Sequence, residues 1–385
     1  MLIRDLTIEN YRSFEKYKLD GLARVNLLVG DNNCGKTSVL EAAYLLETNG
    51  ADDSIWKLLQ SRGEIGFVYE GVTQTDPVFV VPVSELFRGF TIAGKRIPRL
   101  TIKSDGYGEV RLTLGSKDEV IQEIDRDRAD FGSLFDQIAG NTGTLRTSES
   151  GVLYTRFMGT DGCCMRIQHV TTNGGLRRQT SGESVGSSIS TSHCVEKPIA
   201  EYLPIAHANA ETLKADWVRV LQNQRDANVI DALRIVQPEV NEVLVLPTPM
   251  SPPQARSHVL VRANGSNYPL SRLGEGANRL LMLGMLLANA AGGFLLVDEI
   301  DTGLHYSKLS DMWRMVINAA TRLNVQVFAT SHSLDCLNSL SDCLQRDPSL
   351  AEYVAVHRIE RAIDEAVTLT GSEFVDVHAL NSEVR

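Results

Sequence analysis

The sequence predicts an α/β protein with a mixed sheet, interrupted by an inserted antiparallel β and helical region. Near the amino terminus, an apolar run at 25–29 ends in glycine, and apolar residues then recur at helical spacing from 38 to 46. After residue 271, apolar strands alternate with helices, an order that implies parallel pairing. Between about 64 and 170 the apolar period falls to two, which is typical of antiparallel strands. We therefore expect both ends of the chain to share one sheet.

The composition limits the classes of protein to which the chain can belong. Its 385 residues are enough for two or three domains of ordinary size. With 43% hydrophobic and 22% charged residues, it is neither a disordered chain nor a small disulfide scaffold. Acidic residues outnumber basic residues, 48 to 38, so the molecule as a whole repels nucleic acid. Any contact with DNA would need a local basic patch.

Cysteine usage and hydropathy favour a cytoplasmic protein with no membrane partner. No cysteine belongs to a CxxC pair or has a histidine at zinc spacing, which disfavours a disulfide framework and a structural metal. The amino terminus lacks the pattern of a secretion signal. The longest nearly apolar stretch, 280–291, is too short to cross a bilayer.

The elements group into a split core, residues 1–63 and 251–385, and two insertions. Residues 64–200 are expected to form a β-rich lobe. Within this lobe, a segment at about 171–192 is rich in Ser, Thr and Gly and predicts a flexible surface loop. Helical spacing of apolar residues predicts a helical insertion at 201–250.

Shorter patterns predict individual elements inside these regions. Asp105-Gly106 lies between two alternating apolar runs and predicts a hairpin turn. In the core, apolar runs at 294–298 and 325–329 predict two strands, with a helix at about 307–321 between them. A strand–helix–strand order favours neighbouring parallel strands, so the residues that follow each run are expected to lie close together.

Residues 30–37, Gly-Asp-Asn-Asn-Cys-Gly-Lys-Thr, match the phosphate-binding pattern G-x-x-x-x-G-K-[ST] between a strand and a helix. Glycines allow backbone N–H groups to converge on phosphate oxygens, and the helix places its positive end there. Lys36 is predicted to reach the β- and γ-phosphates, and the Thr37 hydroxyl to ligate magnesium. The pattern predicts binding of ATP with Mg²⁺ through Gly30, Asn32, Asn33, Gly35, Lys36, Thr37 and Ser38.

Two carboxylates and a histidine follow the predicted core strands. Asp298 is predicted to hold magnesium through water, and Glu299 to polarise the attacking water, a division that favours hydrolysis over binding alone. His332 ends the next strand, where its imidazole is predicted to hydrogen-bond the γ-phosphate. Taken singly, the two acids could be solvated residues at the end of a strand. The histidine could be an ordinary side chain whose hydrogen bonds are made within the fold. The phosphate-binding pattern favours the chemical interpretation, with Lys36, Glu299 and His332 as catalytic residues.

A turn rich in serine and glycine begins the apolar helix that follows residue 270. Ser271, Gly274 and Gly276 could form only a flexible turn and a helix cap. Serine and glycines at a helix start also form an anion site. Because the chain already has one phosphate-binding loop, this second site would suit the γ-phosphate of a nucleotide bound by another subunit.

Together these residues resemble the ABC-type ATPases of the RecF, SMC and OLD (overcoming lysogenisation defect) group. The opening Leu6-Thr-Ile-Glu-Asn-Tyr-Arg-Ser-Phe14 and the string Asp298-Glu-Ile-Asp-Thr-Gly-Leu-His305 are most similar to the OLD-like branch. The resemblance covers about the first 50 residues and about the last 130. It implies a P-loop NTPase with an ABC-type ATPase core, in which ATP is sandwiched in a homodimer or higher homo-oligomer.

The resemblance also assigns roles to particular residues. His332 corresponds to the switch histidine, and the turn at 271–276 would act in trans on the partner's nucleotide. The segment 302–305 would cross between subunits, and Arg12 would lie near the adenine. The turn departs from the common Ser-Gly-Gly-Gln form, and no residue matches the glutamine loop.

Full-length OLD nucleases carry a TOPRIM domain after the ATPase, whereas only about 50 residues follow His332 here, fewer than such a domain needs. The expectation is that nuclease chemistry is absent from this chain. Short OLD-like ATPases resemble subunits of two-gene anti-phage systems, in which a separate effector or nuclease protein supplies the toxic activity. The family resemblance thus implies an ATPase whose dimerisation regulates such an effector.

Three alternative functions remain open. A nucleotide-gated scaffold with little turnover needs the same pocket, and a RecF-like DNA-repair ATPase has a similar length. A small-molecule kinase is the weakest alternative because it leaves the turn at 271–276 and His332 unexplained. DNA binding would use a cluster of basic residues. This cluster is better explained as a solvated sheet face, because exposed aromatic residues are not interleaved with the charges. The cluster comprises Arg88, Lys95, Arg96, Arg99 and Lys103.

Overall fold

The computed structural model describes residues 2–69, 77–89, 97–131, 151–160, 162–171, 175–177, 189–190, 199–204, 210–246 and 258–380. In chain order, its strands are β1 (Asp5–Tyr11), β2 (Phe14–Asp20), β3 (Val25–Val29), β4 (Gly66–Tyr69), β5 (Pro77–Pro82), β6 (Arg99–Ser104), β7 (Gly108–Gly115), β8 (Gly151–Gly159), β9 (Gly162–Val170), β10 (Gly175–Arg177), β11 (Ile189–Ser190), β12 (Ala200–Leu203), β13 (Val240–Leu246), β14 (His258–Ala263), β15 (Ser266–Pro269), β16 (Phe294–Val297), β17 (Gln326–Thr330), β18 (Val354–Arg358) and β19 (Val367–Thr370).

The α-helices are α1 (Lys36–Glu47), α2 (Asp52–Ser61), α3 (Lys117–Phe131), α4 (Ala210–Gln222), α5 (Asp226–Arg234), α6 (Glu275–Asn289), α7 (Tyr306–Arg322), α8 (Leu334–Arg346) and α9 (Gly371–Ala379). Within the described part of the chain, none of them has the length and apolar character needed to cross a bilayer. Most of the predicted flexible loop at about 171–192 lies outside the described residues.

The chain divides into two compact units. Unit 1 comprises residues 1–4, 19–40 and 199–385, and unit 2 comprises residues 5–18 and 41–198. Each unit has its own sheet system.

The central sheet of unit 1 has the order β12-β16-β17-β3-β18-β19 in the described residues. The first five of these strands run parallel, and β19 runs antiparallel to β18. All residues of β3, β16 and β17 are buried, as expected for strands covered on both faces. The predicted mixed α/β fold is therefore confirmed, and the amino-terminal strand β3 lies between two carboxyl-terminal strands.

Unit 2 is built on a long antiparallel sheet that includes the predicted hairpin. Strands β6 and β7 pair around Asp105-Gly106, with Leu100 opposite Leu112 and Ile102 opposite Val110. On the same sheet, β8 pairs with both β7 and β9. Helix α3 covers part of it, where apolar residues of the helix and of β8 and β9 form one buried cluster.

The described residues of the basic cluster considered for DNA belong to unit 2, and two of them are paired with acids. Arg88 forms an ion pair with Glu15, and Arg99 forms one with Glu123. Lys103 is exposed, whereas the positions of residues 95 and 96 lie outside the described ranges. Paired arginines favour the solvated sheet face over a DNA-binding patch, because each phosphate contact would have to displace a carboxylate.

The compact units differ from the predicted domain boundaries in two places. The predicted helical insertion at 201–250 belongs to unit 1, because β12 pairs with β16 and α5 packs closely on α6. A Cβ placed on Gly284 of α6 would lie 3.0 Å from the Cβ of Ala232. Residues 5–18 and 41–63 belong to unit 2, since β1 pairs with β6.

Two local expectations were wrong. Residues 240–242 are not helical: they begin β13, which pairs with β14 and so uses its valines as a sheet face. Cys164 of β9 is disulfide-bonded, although the cysteine spacing disfavours a disulfide framework. Sequence spacing carries no information about cysteines that meet only through tertiary folding. Free thiols are found at Cys34, Cys163, Cys336 and Cys343.

A buried histidine joins β18 to its neighbours in unit 1. Nε2 of His357 lies 3.2 Å from Oδ1 of Asn26, and Nδ1 lies 2.8 Å from the hydroxyl of Thr368. Burial lowers the pKa of His357 to about 4, because the charged imidazolium would lose its hydration. The neutral ring can donate from Nε2 to Asn26, while the Thr368 hydroxyl lies within hydrogen-bond distance of both Nδ1 and the carbonyl oxygen of Asp20.

We expect His357 to make the protein less stable in mild acid. The unfolded imidazole, with a pKa near 6.5, binds a proton between pH 6.5 and 4 that the folded one does not. This part of the folding free energy is therefore complete above pH 6.5 and falls by about 3 kcal/mol as the pH approaches 4. Urea unfolding of wild type and His357→Gln across this range measures the difference in slope. His378→Gln, at a half-buried position of α9, is the control, and equal slopes in all three proteins would contradict the expectation.

Candidate functional site

Three loops meet at the carboxyl edge of the central sheet of unit 1. They follow β3, β16 and β17, which are adjacent in the order β16-β17-β3. The carboxyl ends of parallel strands form the usual ligand-binding edge of open α/β sheets. The loops carry residues 30–37, Asp298 with Glu299, and His332, so the predicted strand adjacency is confirmed.

The loop after β3 needs glycine at its first position. Gly30 has a φ of +139°, and a Cβ there would lie 2.3 Å from the carbonyl oxygen of Ile359. Gly35 has a φ of +112°, which again favours glycine. Asn33 adopts the left-handed region at +62°, a conformation that asparagine tolerates better than most residues. The motif glycines thus meet a backbone requirement that other residues would strain.

The side chains of this loop and of the first turn of α1 differ in their contacts and exposure. Nζ of Lys36 donates to the carbonyl oxygens of Gly30 and Asp31, both at 2.8 Å. Asn32 and Asn33 are exposed, whereas Ser38 is buried in the first turn of α1. Lys36 therefore curls over the loop that its motif predicts as the phosphate cradle.

Thr37 and Asp298 are 261 residues apart in the sequence but lie in contact. The Thr37 hydroxyl lies 3.3 and 3.2 Å from the two carboxylate oxygens of Asp298. Oδ1 of Asp298 also accepts a hydrogen bond of 2.6 Å from the hydroxyl of Thr330, the last residue of β17. The two residues predicted as metal ligands therefore face each other, and Thr330 binds one of the two carboxylate oxygens.

Glu299 directs its side chain away from Asp298. Its φ of +48° is unusual for a glutamate and turns the chain sharply after β16. Oε2 accepts from the Thr302 hydroxyl at 3.2 Å, and Oε1 lies 3.4 Å from Nδ1 of His332. The side chains of Glu299 and His332 are 32% and 51% exposed, so solvent reaches both. A carboxylate and an imidazole are thus paired at the open side of the site.

A buried arginine holds the backbone of both acids. Nη2 of Arg279 in α6 donates to the carbonyl oxygens of Asp298 and Glu299, at 2.7 and 2.9 Å. Nη1 donates to the carbonyl of Pro204 at 3.1 Å. Burial lowers the pKa of Arg279, an effect opposed by the nearby carboxylates of Asp298, Asp301 and Glu299. Arg279 therefore ties the helix after the serine-glycine turn to the site backbone.

The predicted trans-acting turn lies at the start of α6. Ser271 is exposed within a 3₁₀ turn, and Gly274 has a φ of +83° with open space around the position of a Cβ. Gly276 is more confined: a Cβ there would lie 3.0 Å from the carbonyl oxygen of Gly303 and 3.3 Å from Leu304. Ser271 and Gly274 are open to solvent, and their action on a second subunit stays a prediction.

Arg12 belongs to unit 2 and has carboxylate partners there. Its Nε lies 3.1 Å from Glu41 Oε2, and its Nη1 lies 2.9 Å from Glu64 Oε1. Glu41 is fully buried and also accepts from the hydroxyl of Tyr11 at 2.9 Å. The contact with adenine implied for Arg12 stays a prediction.

Sequence reasoning gave no role to Thr330 or Arg279. Thr330 is the last residue of β17 and lies two positions before His332. Threonine is common in strands, so its presence there gives no signal. Arg279 is a charged residue in the apolar helix α6, and it is only 5% exposed. A charged residue within an otherwise apolar helical run is the signal that could have indicated it, since buried charges need partners.

A phosphate-binding loop, a paired threonine and aspartate, and a glutamate beside a histidine at the edge of a parallel sheet define a P-loop ATPase domain. The chain belongs to the AAA ATPase domain family, which it matches over residues 1–91 and 198–337, more than half of its length. The matched ranges include the loop after β3, Asp298, Glu299 and His332.

Individual relatives are similar over shorter stretches. An ATP/GTP phosphatase of Helicobacter pylori is 40% identical over 45 residues, 12% of each chain. The DNA replication and repair protein RecF of Xanthomonas oryzae pv. oryzae is 32% identical over 106 residues, 28% of this chain and 26% of that protein. The chain thus spans about an eighth and about a quarter of these two relatives. A solved SMC head bound to the C-winged helix domain of ScpA superposes loosely, with a TM-score of 0.46 at 11% identity over 96% of this chain and 98% of that one.

Gly30→Ala is expected to destabilise the loop and to abolish nucleotide binding, because the new methyl group would overlap the carbonyl of Ile359. Gly292→Ala is the matched control: its φ is +85° and a Cβ there has open space, so it incurs only the backbone strain, about 1 kcal/mol. We expect Gly30→Ala to cost at least about 2 kcal/mol more than the control. Urea unfolding and titration with a fluorescent ATP analogue measure both effects. Equal costs would contradict the steric explanation.

Proposed function

We propose that the chain is a magnesium-dependent, ATP-hydrolysing ATPase of the OLD-like branch, whose ATP-driven dimerisation regulates a separate effector protein, in anti-phage defence. One observation supports hydrolysis most strongly. Asp298 and Glu299 are adjacent in sequence but face different partners, Thr37 and His332. One carboxylate is thereby assigned to the metal and the other to water.

The donor set fits magnesium. Mg²⁺ prefers oxygen ligands and is commonly bound by one or two carboxylates together with substrate phosphates and water. The Thr37 hydroxyl and the Asp298 carboxylate supply such oxygens on facing sides. No group of three or more His, Cys, Asp or Glu in the described residues could hold a metal by itself, so phosphate oxygens would complete the coordination. When bound, the ion would neutralise charge on the phosphates.

The remaining roles follow from the side chains of this chain. Lys36 now donates to two loop carbonyls and can transfer these hydrogen bonds to phosphate oxygens when ATP binds. Glu299 would orient water and accept its proton during attack on the γ-phosphate. His332, beside Glu299 and open to solvent, would donate to the γ-phosphate. Arg279 holds the backbone carbonyl of Glu299.

Dimerisation is supported by the solvent-exposed turn at the start of α6. Ser271 and Gly274 are open to solvent, and the helix after them carries a positive amino-terminal end. The γ-phosphate bound to one chain's loop would be held by this turn of a second chain, so hydrolysis would release the dimer. We propose that the effector responds to this change between closed and open dimers.

A RecF-like DNA-repair ATPase is the second candidate, favoured by the 106-residue similarity to RecF. The ion pairs of Arg88 and Arg99 count against a DNA-binding sheet face. Phosphate release with and without gapped DNA separates the two candidates: strong stimulation by gapped DNA would favour the repair function, whereas no response would favour effector regulation.

Glu299→Gln is expected to lower the rate of phosphate release by at least about 100-fold, because the amide cannot accept the proton of the attacking water. The same variant should accumulate as an ATP-bound dimer that light scattering detects. Glu365→Gln, at an exposed position, is the matched control and should behave as wild type. A Glu299→Gln protein that stays monomeric with ATP would refute the sandwich, and one that hydrolyses ATP normally would refute the role of Glu299.

Removal of magnesium with EDTA is expected to abolish phosphate release, and added Mg²⁺ should restore it. Thr37→Val removes one proposed ligand, so we expect it to need about 10-fold or more Mg²⁺ for half-maximal activity, whereas Thr37→Ser keeps the hydroxyl and should need about the wild-type amount. Activity assays over a range of Mg²⁺ concentrations measure these values. Identical requirements in Thr37→Val and wild type would contradict the assignment.

A further inference from the structure

The hydroxyl of Thr330 makes two hydrogen bonds whose directions are fixed. Oγ1 accepts from the backbone N–H of Glu299 at 2.8 Å and donates to Oδ1 of Asp298 at 2.6 Å. A carboxylate can only accept and a backbone N–H can only donate, so the single hydroxyl proton must point to Asp298. Thr330 is 1% exposed, and water does not compete for these bonds.

Through these two hydrogen bonds, Thr330 contacts both acids of the site from the end of a rigid strand. Thr330 ends β17, where its backbone pairs with Leu28 of β3. Its carbonyl oxygen accepts from the N–H of Ile300 at 3.1 Å, which adds a third link to the turn after β16. The hydroxyl therefore sets the orientation of the Asp298 carboxylate relative to Thr37 and, through the backbone N–H, holds Glu299 in its left-handed conformation.

We propose that Thr330 is a positioning residue, which orients Asp298 towards the metal and Glu299 towards water through one shared hydroxyl. The inference rests on the proposed magnesium-dependent ATPase and adds a residue that no motif assigns. Loss of the hydroxyl would remove one restraint on the carboxylate of Asp298 and the hydrogen-bond partner of the Glu299 N–H. Side chains that support metal ligands in this way affect metal affinity or activity by about 10- to 100-fold.

Thr330→Val keeps the size and the β-branched shape and removes only the hydroxyl, whereas Thr330→Ser keeps the hydroxyl. Thr113→Val in β7 is the matched control, since the hydroxyl of this buried threonine has no hydrogen-bond partner in the described residues. We expect Thr330→Val to lower kcat by about 10-fold or more with little change in KM for ATP. Thr330→Ser should recover most of the rate, and Thr113→Val should match wild type.

A second measurement does not depend on turnover. Titration of a fluorescent ATP analogue in EDTA should give the same affinity for wild type and Thr330→Val, because the phosphate loop is unchanged. With Mg²⁺ present, Thr330→Val should need about 10-fold more of the ion to reach the tight-binding state. This result would support the positioning role even if the wild type hydrolysed ATP too slowly to measure, so failure of the proposed ATPase is distinguishable from failure of this inference.

Thermal unfolding shows which of the variants are folded. The inference is overturned if folded Thr330→Val keeps the wild-type Mg²⁺ requirement, if Thr113→Val shows the same loss, or if folded Thr330→Ser is as impaired as Thr330→Val. If Thr330→Val fails to fold, the comparison of Thr330→Ser with a folded Thr330→Ala decides in the same way.

Discussion

The site depends on the parallel pairing of β3 with two strands from the other end of the chain. Strand β3 is hydrogen-bonded to β17 on one side and to β18 on the other. Beyond the strand ends, the N–H of Ser331 donates to Leu28, and the N–H of Ile359 donates to Val29. Because the loop at 30–37 begins where β3 ends, this register brings Thr37 to Asp298. Without it, the motifs would be present in the sequence but would not meet.

Within that frame, backbone geometry gives two neighbouring acids, Asp298 and Glu299, different partners. The left-handed turn at Glu299 points consecutive carboxylates in different directions, and such a conformation has to be stabilised by its surroundings. Arg279 binds its carbonyl oxygen, Thr302 approaches the same oxygen through its N–H, and Thr330 binds its N–H. The side chain of Glu299, which we propose to orient water, can remain partly exposed because its backbone is held by these partners.

The sequence was sufficient to predict the phosphate-binding loop, the strand before Asp298 and the sharing of one sheet, because each rests on a local pattern with strong physical requirements. It was not sufficient for β12, a four-residue edge strand, or for β13, whose valines also suit a helix. Thr330 and Arg279 have no local signature, since their importance arises from contacts with residues that are distant in the chain. The same reason explains why the disulfide of Cys164 was missed.

The position of β3 also has a consequence for how the protein is made. A ribosome releases this largely apolar strand early, yet its two neighbours, β17 and β18, are synthesised about 300 residues later. At translation rates of about 5–20 residues per second, β3 waits roughly 15–60 s for them. During that interval its backbone edges are available for mispairing, a known hazard of long-range parallel sheets. Early collapse or a chaperone would protect these edges until the carboxyl-terminal strands emerge.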